Sequence, residues 1–425
     1  MEFLSLLVAA SMPVLQLLLI GFLGAFLAYK FSTVFSDNVR RNMNKIVFAV
    51  FSPALVFASL AKAVTLAQLI SWWYMPVNIG ITFLIGGILG WIAVKILRPA
   101  RHLEGLIIAN CSAGNLGNLM LMIVPAVCDQ PGNPFGDQNT CRARGLSYVS
   151  TSMALGGFYI WTHTYSLLKK DGAIYAQLIS EGSVKKTAKQ YSSASLEDES
   201  AHSREIREAI NDPESQLPPS LKSPDMYPDG TIIQPLLGVT KMHTGEHIWK
   251  MVIGTFHEIA EELVEPPTIA ALAGFAVGAV PWLKSLIIGS RAPLRVIQDS
   301  LETLGNGTLP CTTLILGGNL TRGIGRSAVK PSAIVAIALV RYIALPASGI
   351  FVMKAASYAG FLPEDPLFSY VLLTQFTLPP AVAIGVMAQL FGVGQEESSV
   401  IFLWMYLLSA FALTAWSTVF LYLLS

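Results

Sequence analysis

Long apolar runs separated by short polar stretches dominate this chain, and their length sets the first expectation. A helix crosses the hydrocarbon layer of a bilayer in about 20 residues. Ten runs reach that size, near Leu6–Tyr29, Asn44–Ala61, Leu69–Ile96, Leu103–Val127, Leu146–Leu168, Pro267–Ile288, Leu294–Leu320, Ala333–Ala356, Leu367–Phe391 and Val400–Leu424. The pattern predicts an all-α membrane protein with ten transmembrane helices in two sets of five. The first run is longer than the core of a secretory signal and ends at Lys30, so it reads as a retained span.

A different kind of sequence separates the two sets. From Glu181 to Asp229 there is no Phe or Trp, while Ser, Pro, Glu and Lys abound. Such a segment buries too little apolar area to offset its ordering entropy. The expected organisation is a first five-helix repeat over 1–168, a largely disordered cytosolic hydrophilic loop over 169–265, and a second five-helix repeat over 266–425. Within the loop, 247–264 carries apolar residues at helical spacing and predicts an amphipathic helix on the membrane surface. His243, His247 and His257 fall in the loop with no matching ligand cluster, so they read as surface residues, and no metal or other cofactor is expected.

Composition agrees with lipid as part of the solvent. Hydrophobic residues make up 53% of the chain and charged residues 13%, against about 25% charged in soluble proteins. A net charge of +1 gives no basis for nucleic-acid binding. Of the four cysteines, Cys111 and Cys311 lie inside apolar runs as packing residues, whereas Cys128 and Cys141 bracket a polar loop. Those two are candidates for a disulfide if the loop faces an oxidising compartment, and two free thiols is the alternative reading.

The two sets look like repeats. Pro13 precedes Gly21 and Gly24, and Pro267 precedes Gly274 and Gly278. The second span of each set carries a central proline, Pro53 and Pro310. The fourth span of each carries a breaker at mid-depth: Gly114-Asn115-Leu116-Gly117-Asn118 in one, Thr377-Leu378-Pro379-Pro380 in the other. Five is an odd number of crossings, so two such units joined by one loop enter the membrane from opposite sides, as an inverted repeat. Arg40, Arg41, Lys45, Lys95, Arg98, Arg101, Lys169, Lys170, Arg322, Arg326 and Lys330 then share one face, which the distribution of basic residues makes cytosolic. Lys284, Arg291 and Arg295 fall on the opposite face and weaken that orientation.

The breakers carry the candidate chemistry. Proline removes a donor and clashes with the preceding turn, and unpaired backbone survives in a membrane only where it lines a cavity or is buried in protein. Two half-helix N-termini meeting at mid-membrane offer free N–H groups to an anion without any Lys or Arg. Asn115 and Asn118 are candidate additional donors, with Gln375 in reach of the same region. Arg341 is the clear charge deep within a span. It is either functional or a structural bridge to Asp299 or Glu302. The sequons at Asn306 and Asn319 lie in or beside a span and read as chance.

The stretches SMPVLQLLLIGFLGAFLA, NKIVFAVFSPALVFASL, IIANCSAGNLGNLMLMIVPAVC and LLTQFTLPPAVAIGVMAQLF resemble the plant PIN-LIKES branch of the auxin efflux carrier family. The resemblance covers both helical sets, roughly three quarters of the chain. It implies helices four and nine crossing at broken points, residence in the endoplasmic reticulum membrane, and transport of indole-3-acetic acid that lowers nuclear auxin signalling. In related PIN carriers the crossover reads Pro-Asn with a later proline. Here Asn118, seven residues before Pro125, matches the Asn, and Gly117 stands in place of the Pro. Pro379, followed by Pro380, matches the crossover proline of helix nine, and Tyr159 matches a substrate-facing tyrosine of helix five. The carriers' acidic and lysine pair in helix three has no counterpart in MPVNIGITFLIGGILGW, and their helix-five glutamine aligns with Ala154.

The expected substrate is therefore a small organic anion of the auxin type, carried by an elevator-type mechanism. Membrane lipid and a second copy of the chain are the expected partners. Two alternatives stand beside this: a sodium- or proton-coupled symporter of another organic anion, and a non-transporting membrane receptor or scaffold. No nucleophile–base or metal-ligand constellation suggests an enzyme.

Overall fold

The computed structural model describes residues 3–63, 65–130, 133–181, 265–289, 291–323 and 329–424. The chain divides into two units, Met1–Tyr175 with Ile259–Ser425, and Ala176–Glu258. Of the second unit only the helical stretch 176–181 is described, so most of the central loop, and the amphipathic helix expected over 247–264, lie outside the described residues.

The first unit is a bundle of helices. In chain order the main ones are α1 (Phe3–Lys30), α2 (Asp37–Ala63), α3 (Tyr74–Leu97, preceded by a short helix Leu66–Ser71), α4 (Glu104–Ser112), α5 (Asn118–Cys128) and α6 (Gln138–Tyr159, continued through a wide turn at Ile160–Thr164). After the central loop come α7 (Pro266–Ala279), α8 (Pro281–Ile287), α9 (Arg295–Asn306), α10 (Thr308–Gly323), α11 (Pro331–Tyr358), α12 (Pro366–Gln375), α13 (Ala383–Leu390) and α14 (Gln395–Leu424). By length and composition α2, α3, α11 and α14 each qualify as continuous membrane spans. Large apolar side chains face outward along the bundle, among them Leu19, Phe22, Phe26, Trp91, Ile96, Phe351 and Phe411. In water such a surface would aggregate; facing lipid it is at equilibrium with its solvent.

Proline and glycine placement explains the irregularities. In α2 the helix widens to a π-type turn at Val47–Phe51, ahead of Pro53, whose ring cannot sit against the carbonyl four residues back. The same happens in α11 at Val340–Ala344, ahead of Pro346. The run expected as one straight sixth span is instead bent by 106° between α7 and α8. Pro281 opens the second helix at a position where it needs no backbone donor, so the chain can turn there without losing a hydrogen bond.

The glycines of the first helix in each set make close helix contacts. A Cβ on Gly24 would strike the Leu314 backbone of α10, and one on Gly274 would lie 2.8 Å from the Phe57 carbonyl oxygen of α2. Thus α1 packs on α10 and α7 packs on α2. Each set lends its first helix to the other, as small residues at a membrane helix interface allow.

Candidate functional site

Two helices break at mid-length and their open segments cross. Between α4 and α5 the chain is non-helical over 113–117, and between α12 and α13 over 376–382. Ala113 leaves the helix with an extended backbone at φ −85° and ψ 109°. The two segments pair as a single antiparallel bridge between Gly114 and Pro380. The Asn115 N–H donates to the Pro379 carbonyl at 2.8 Å, and the Ala381 N–H donates to the Ala113 carbonyl at 3.0 Å. Consecutive prolines leave residues 379 and 380 with no N–H to satisfy, so the crossing uses their carbonyls alone. Backbone groups freed by the breaks therefore find partners in each other rather than in lipid.

Side chains brace the crossing. The Asn115 amide nitrogen donates to the Tyr406 hydroxyl at 2.8 Å, and that hydroxyl donates to the Pro380 carbonyl at 2.9 Å. Arg341 is fully buried. Its Nη1 donates to the carbonyls of Cys111 and Ser112, each at 3.3 Å, and its Nη2 to the Pro379 carbonyl at 3.2 Å. The sequence left open a bridge from Arg341 to Asp299 or Glu302, and the structure corrects this. Asp299 takes Arg295 and Glu302 takes Lys62, while Arg341 spends its charge on backbone carbonyls at the C-terminal end of α4.

A cavity of about 130 Å³ lies against the crossing. Leu116 and Gly117, at the entrance to α5, and Ala381, Val382 and Ala383, at the entrance to α13, form one wall with Asn115. Both half-helix N-termini thus open onto the same space. The rest is Ser52, Val56, Ser59, Met153, Trp161, Thr308 and Thr312 with further apolar neighbours, and none of the lining residues is charged. Apolar walls with a few convergent polar groups are the usual make-up of a small-molecule site. A second space of about 490 Å³ shares Leu55, Ser59 and Met153 with it and extends to Lys62, Lys284 and Glu302.

The residues expected from sequence are placed unequally. Asn115 and Gly117 line the cavity, and Pro379 and Pro380 form the strand beneath it. The backbone of Asn118 starts α5, but its side chain lies outside the described residues. Gln375 is fully buried and turns away from the cavity. Its amide donates to Ser152 Oγ at 2.9 Å, and its carbonyl accepts from Asn78 at 2.8 Å, tying α12 to α6 and α3. The Tyr159 hydroxyl donates to the Pro76 carbonyl at 3.1 Å, and the ring packs on Phe83, so Tyr159 joins α6 to α3 and does not line the cavity. Cys128 and Cys141 are joined as a disulfide that ties the end of α5 to the start of α6. Sequence reasoning missed Tyr406 and the hydroxyl residues Ser52, Ser59, Thr308 and Thr312. Ser52 adjoins Pro53 and Thr308 and Thr312 flank Pro310, which could have pointed to them, whereas Tyr406 sits in a continuous apolar helix with no such mark.

The membrane transport protein family matches residues 9–417. Protein PIN-LIKES 7 of Arabidopsis thaliana is 51% identical over 425 residues, covering all of both chains. Protein PIN-LIKES 5 of the same plant is also 51% identical, over 424 residues and the full length of both. Protein PIN-LIKES 3 is 36% identical over 432 residues, again end to end. The chain belongs to the PIN-LIKES branch of the membrane transport family. That membership points to a transporter rather than an enzyme. In this PIN-LIKES chain the broken helices and the cavity against them are the features a transporter needs, and transport folds place their substrates at discontinuous helices of this kind.

Proposed function

We propose that this protein carries an auxin-type weak acid, with indole-3-acetic acid as the reference substrate, across the endoplasmic reticulum membrane. The observation that carries the reading is the convergence of two half-helix N-termini, at 116–117 and 381–383, on one uncharged, largely apolar cavity. The positive ends of two helix dipoles favour a carboxylate there, with first-turn N–H groups not used by the crossing as donors. The Asn115 amide supplies a further donor, and Asn118, the first residue of α5, is the other donor expected from sequence. Trp161, Val56 and Met153 give an apolar surface for an aromatic ring.

The chain works as two inverted five-helix repeats, 1–168 and 266–425, with the 169–265 loop in the cytosol. Helices α1, α2 and α7–α10 form a scaffold, and the helices bearing the crossing slide against it as an elevator. With the basic-residue orientation, the wider space reaching Lys62, Lys284 and Glu302 lies toward the non-cytosolic side. Withdrawal of auxin into that compartment lowers its availability in the nucleus.

Uptake of radiolabelled indole-3-acetic acid into proteoliposomes containing the purified protein tests this. Saturable uptake is expected, with affinity reduced in Asn118→Ala and Asn115→Ala. An absence of saturable uptake, with binding retained, would favour the receptor reading instead.

A further inference from the structure

Arg341 is the largest fully buried side chain of the described residues, and it sits at the crossing without a carboxylate. A lone charge in a membrane interior is costly, so its position calls for a reason. Its partners supply one. The Cys111 and Ser112 carbonyls are the last ones of the half-helix α4, and the Pro379 carbonyl belongs to the opposing broken segment. In transporters with discontinuous helices, half-helix C-terminal ends and unwound carbonyls of this kind are where a coupling cation is held. Here the guanidinium already occupies them. The fit is close: a Cβ placed on Gly114 would lie 2.6 Å from Nη2.

The charge also communicates with the cavity through one peptide group. The Pro379 carbonyl accepts from Arg341 Nη2 and from the Asn115 N–H, and Asn115 lines the cavity. A fixed positive charge thus stands directly behind the wall that the anion would face.

We infer that Arg341 is a tethered cation filling the coupling-ion place at the helix crossing, so that this carrier moves its anion without sodium. The inference rests on the transport reading above, and it makes Arg341 a positioning residue that acts through the crossing rather than by touching the substrate. It separates the carrier from the sodium-coupled alternative by a feature of the fold.

Two measurements on the purified full chain test this, and the first does not depend on any substrate. Thermal melting in detergent is compared in sodium chloride and choline chloride. The wild type should melt at the same temperature in both. Arg341→Ala should melt lower in choline and recover on adding sodium or millimolar guanidinium, because the vacated carbonyls can take either ion. Arg341→Lys keeps a charge and should remain indifferent to sodium. Second, wild-type uptake of labelled indole-3-acetic acid should be unchanged when choline replaces sodium, while Arg341→Ala should raise KM by on the order of tenfold, with partial rescue by guanidinium. Sodium dependence of wild-type melting or uptake would overturn the inference. So would an Arg341→Ala protein whose melting ignores both ions. If Arg341→Ala cannot be purified under any salt, the wild type and Arg341→Lys decide the matter. Failure to transport auxin with the melting pattern intact would sink the substrate reading and leave the cation assignment standing.

Discussion

Removing one oxygen atom should show whether the crossing is a working site or a packing accident. Tyr406→Phe deletes the hydroxyl that accepts from the Asn115 amide at 2.8 Å and donates to the Pro380 carbonyl at 2.9 Å. The ring is fully buried and its shape is kept, so no cavity is made beyond one oxygen. Two buried hydrogen bonds are lost, each worth about 1 kcal/mol net. The buried Pro380 carbonyl is left with one fewer donor. The expected loss of stability is therefore about 2 kcal/mol. The functional consequence differs in kind, because the Asn115 amide, no longer held, must be ordered by the ligand on binding. That should weaken anion affinity by about 3- to 10-fold, or roughly 1 kcal/mol. Tyr342→Phe is the matched control. Its hydroxyl donates to the Met405 carbonyl at 2.6 Å on the same helix, and Tyr342 does not line the cavity. It should lower the melting temperature without changing affinity. Melting in detergent and equilibrium binding of labelled indole-3-acetic acid read the two effects separately. Equal affinity in wild type and Tyr406→Phe, with Tyr342→Phe behaving identically, would refute the idea that this hydroxyl orients a binding group.

Three further outcomes follow from other contacts. Gly114→Ala places a methyl 2.6 Å from Arg341 Nη2 and 3.5 Å from Leu378 Cβ. Overpacking of this kind costs about 1–3 kcal/mol, and uptake should fall with stability; a variant that melts and transports like wild type would mean the crossing is loose. The Asn319 amide donates to the Gln389 side-chain carbonyl oxygen at 2.8 Å and accepts from Arg40 Nε at 3.0 Å, joining α10 and α2 to α13. Gln389→Ala removes about 1 kcal/mol of this latch, so hydrogen exchange over 383–390 should quicken, and unchanged exchange would remove the contact from any gating role. Asp171, on the helical stretch after α6, accepts from the Gly105 and Leu106 N–H groups at 3.1 and 2.8 Å and so caps α4. Burial outweighs those bonds and lifts its carboxyl from 3.8 to about 6, with Glu104 adding to the rise and Lys170 opposing it. A carboxyl raised in the fold stabilises it fully below the unfolded value and loses that contribution as pH climbs through 6. Melting of the wild type should therefore gain on Asp171→Asn as pH falls from 6 to 4, by up to about 2 kcal/mol, and parallel pH profiles would rule this out.

Some of the site was legible in the chain and some was not, for identifiable reasons. The breaks at Gly114–Asn118 and Thr377–Pro380 were readable, because glycine and proline act on their own backbone whatever surrounds them. The bend at Val280–Pro281 was not read, since a proline can also open or merely kink a helix, and only its neighbours decide between them. Gln375 and Tyr159 had the right chemistry and depth for a site. A side chain's direction depends on helix rotation, however, and the rotations seen here send Gln375 to Asn78 and Ser152 and Tyr159 to Pro76.

Hydropathy and breaker residues, acting locally, determined that this protein is helical, apolar enough for lipid, and interrupted twice at matching places. Which groups meet across those interruptions was settled only by tertiary structure. Arg341 is about 230 residues from the carbonyls of α4 that receive it, and Asn115 is 291 from the tyrosine that holds its amide. No local propensity encodes such pairings. They arise because a buried charge and a freed carbonyl, with no water to turn to, must find each other within the folded bundle.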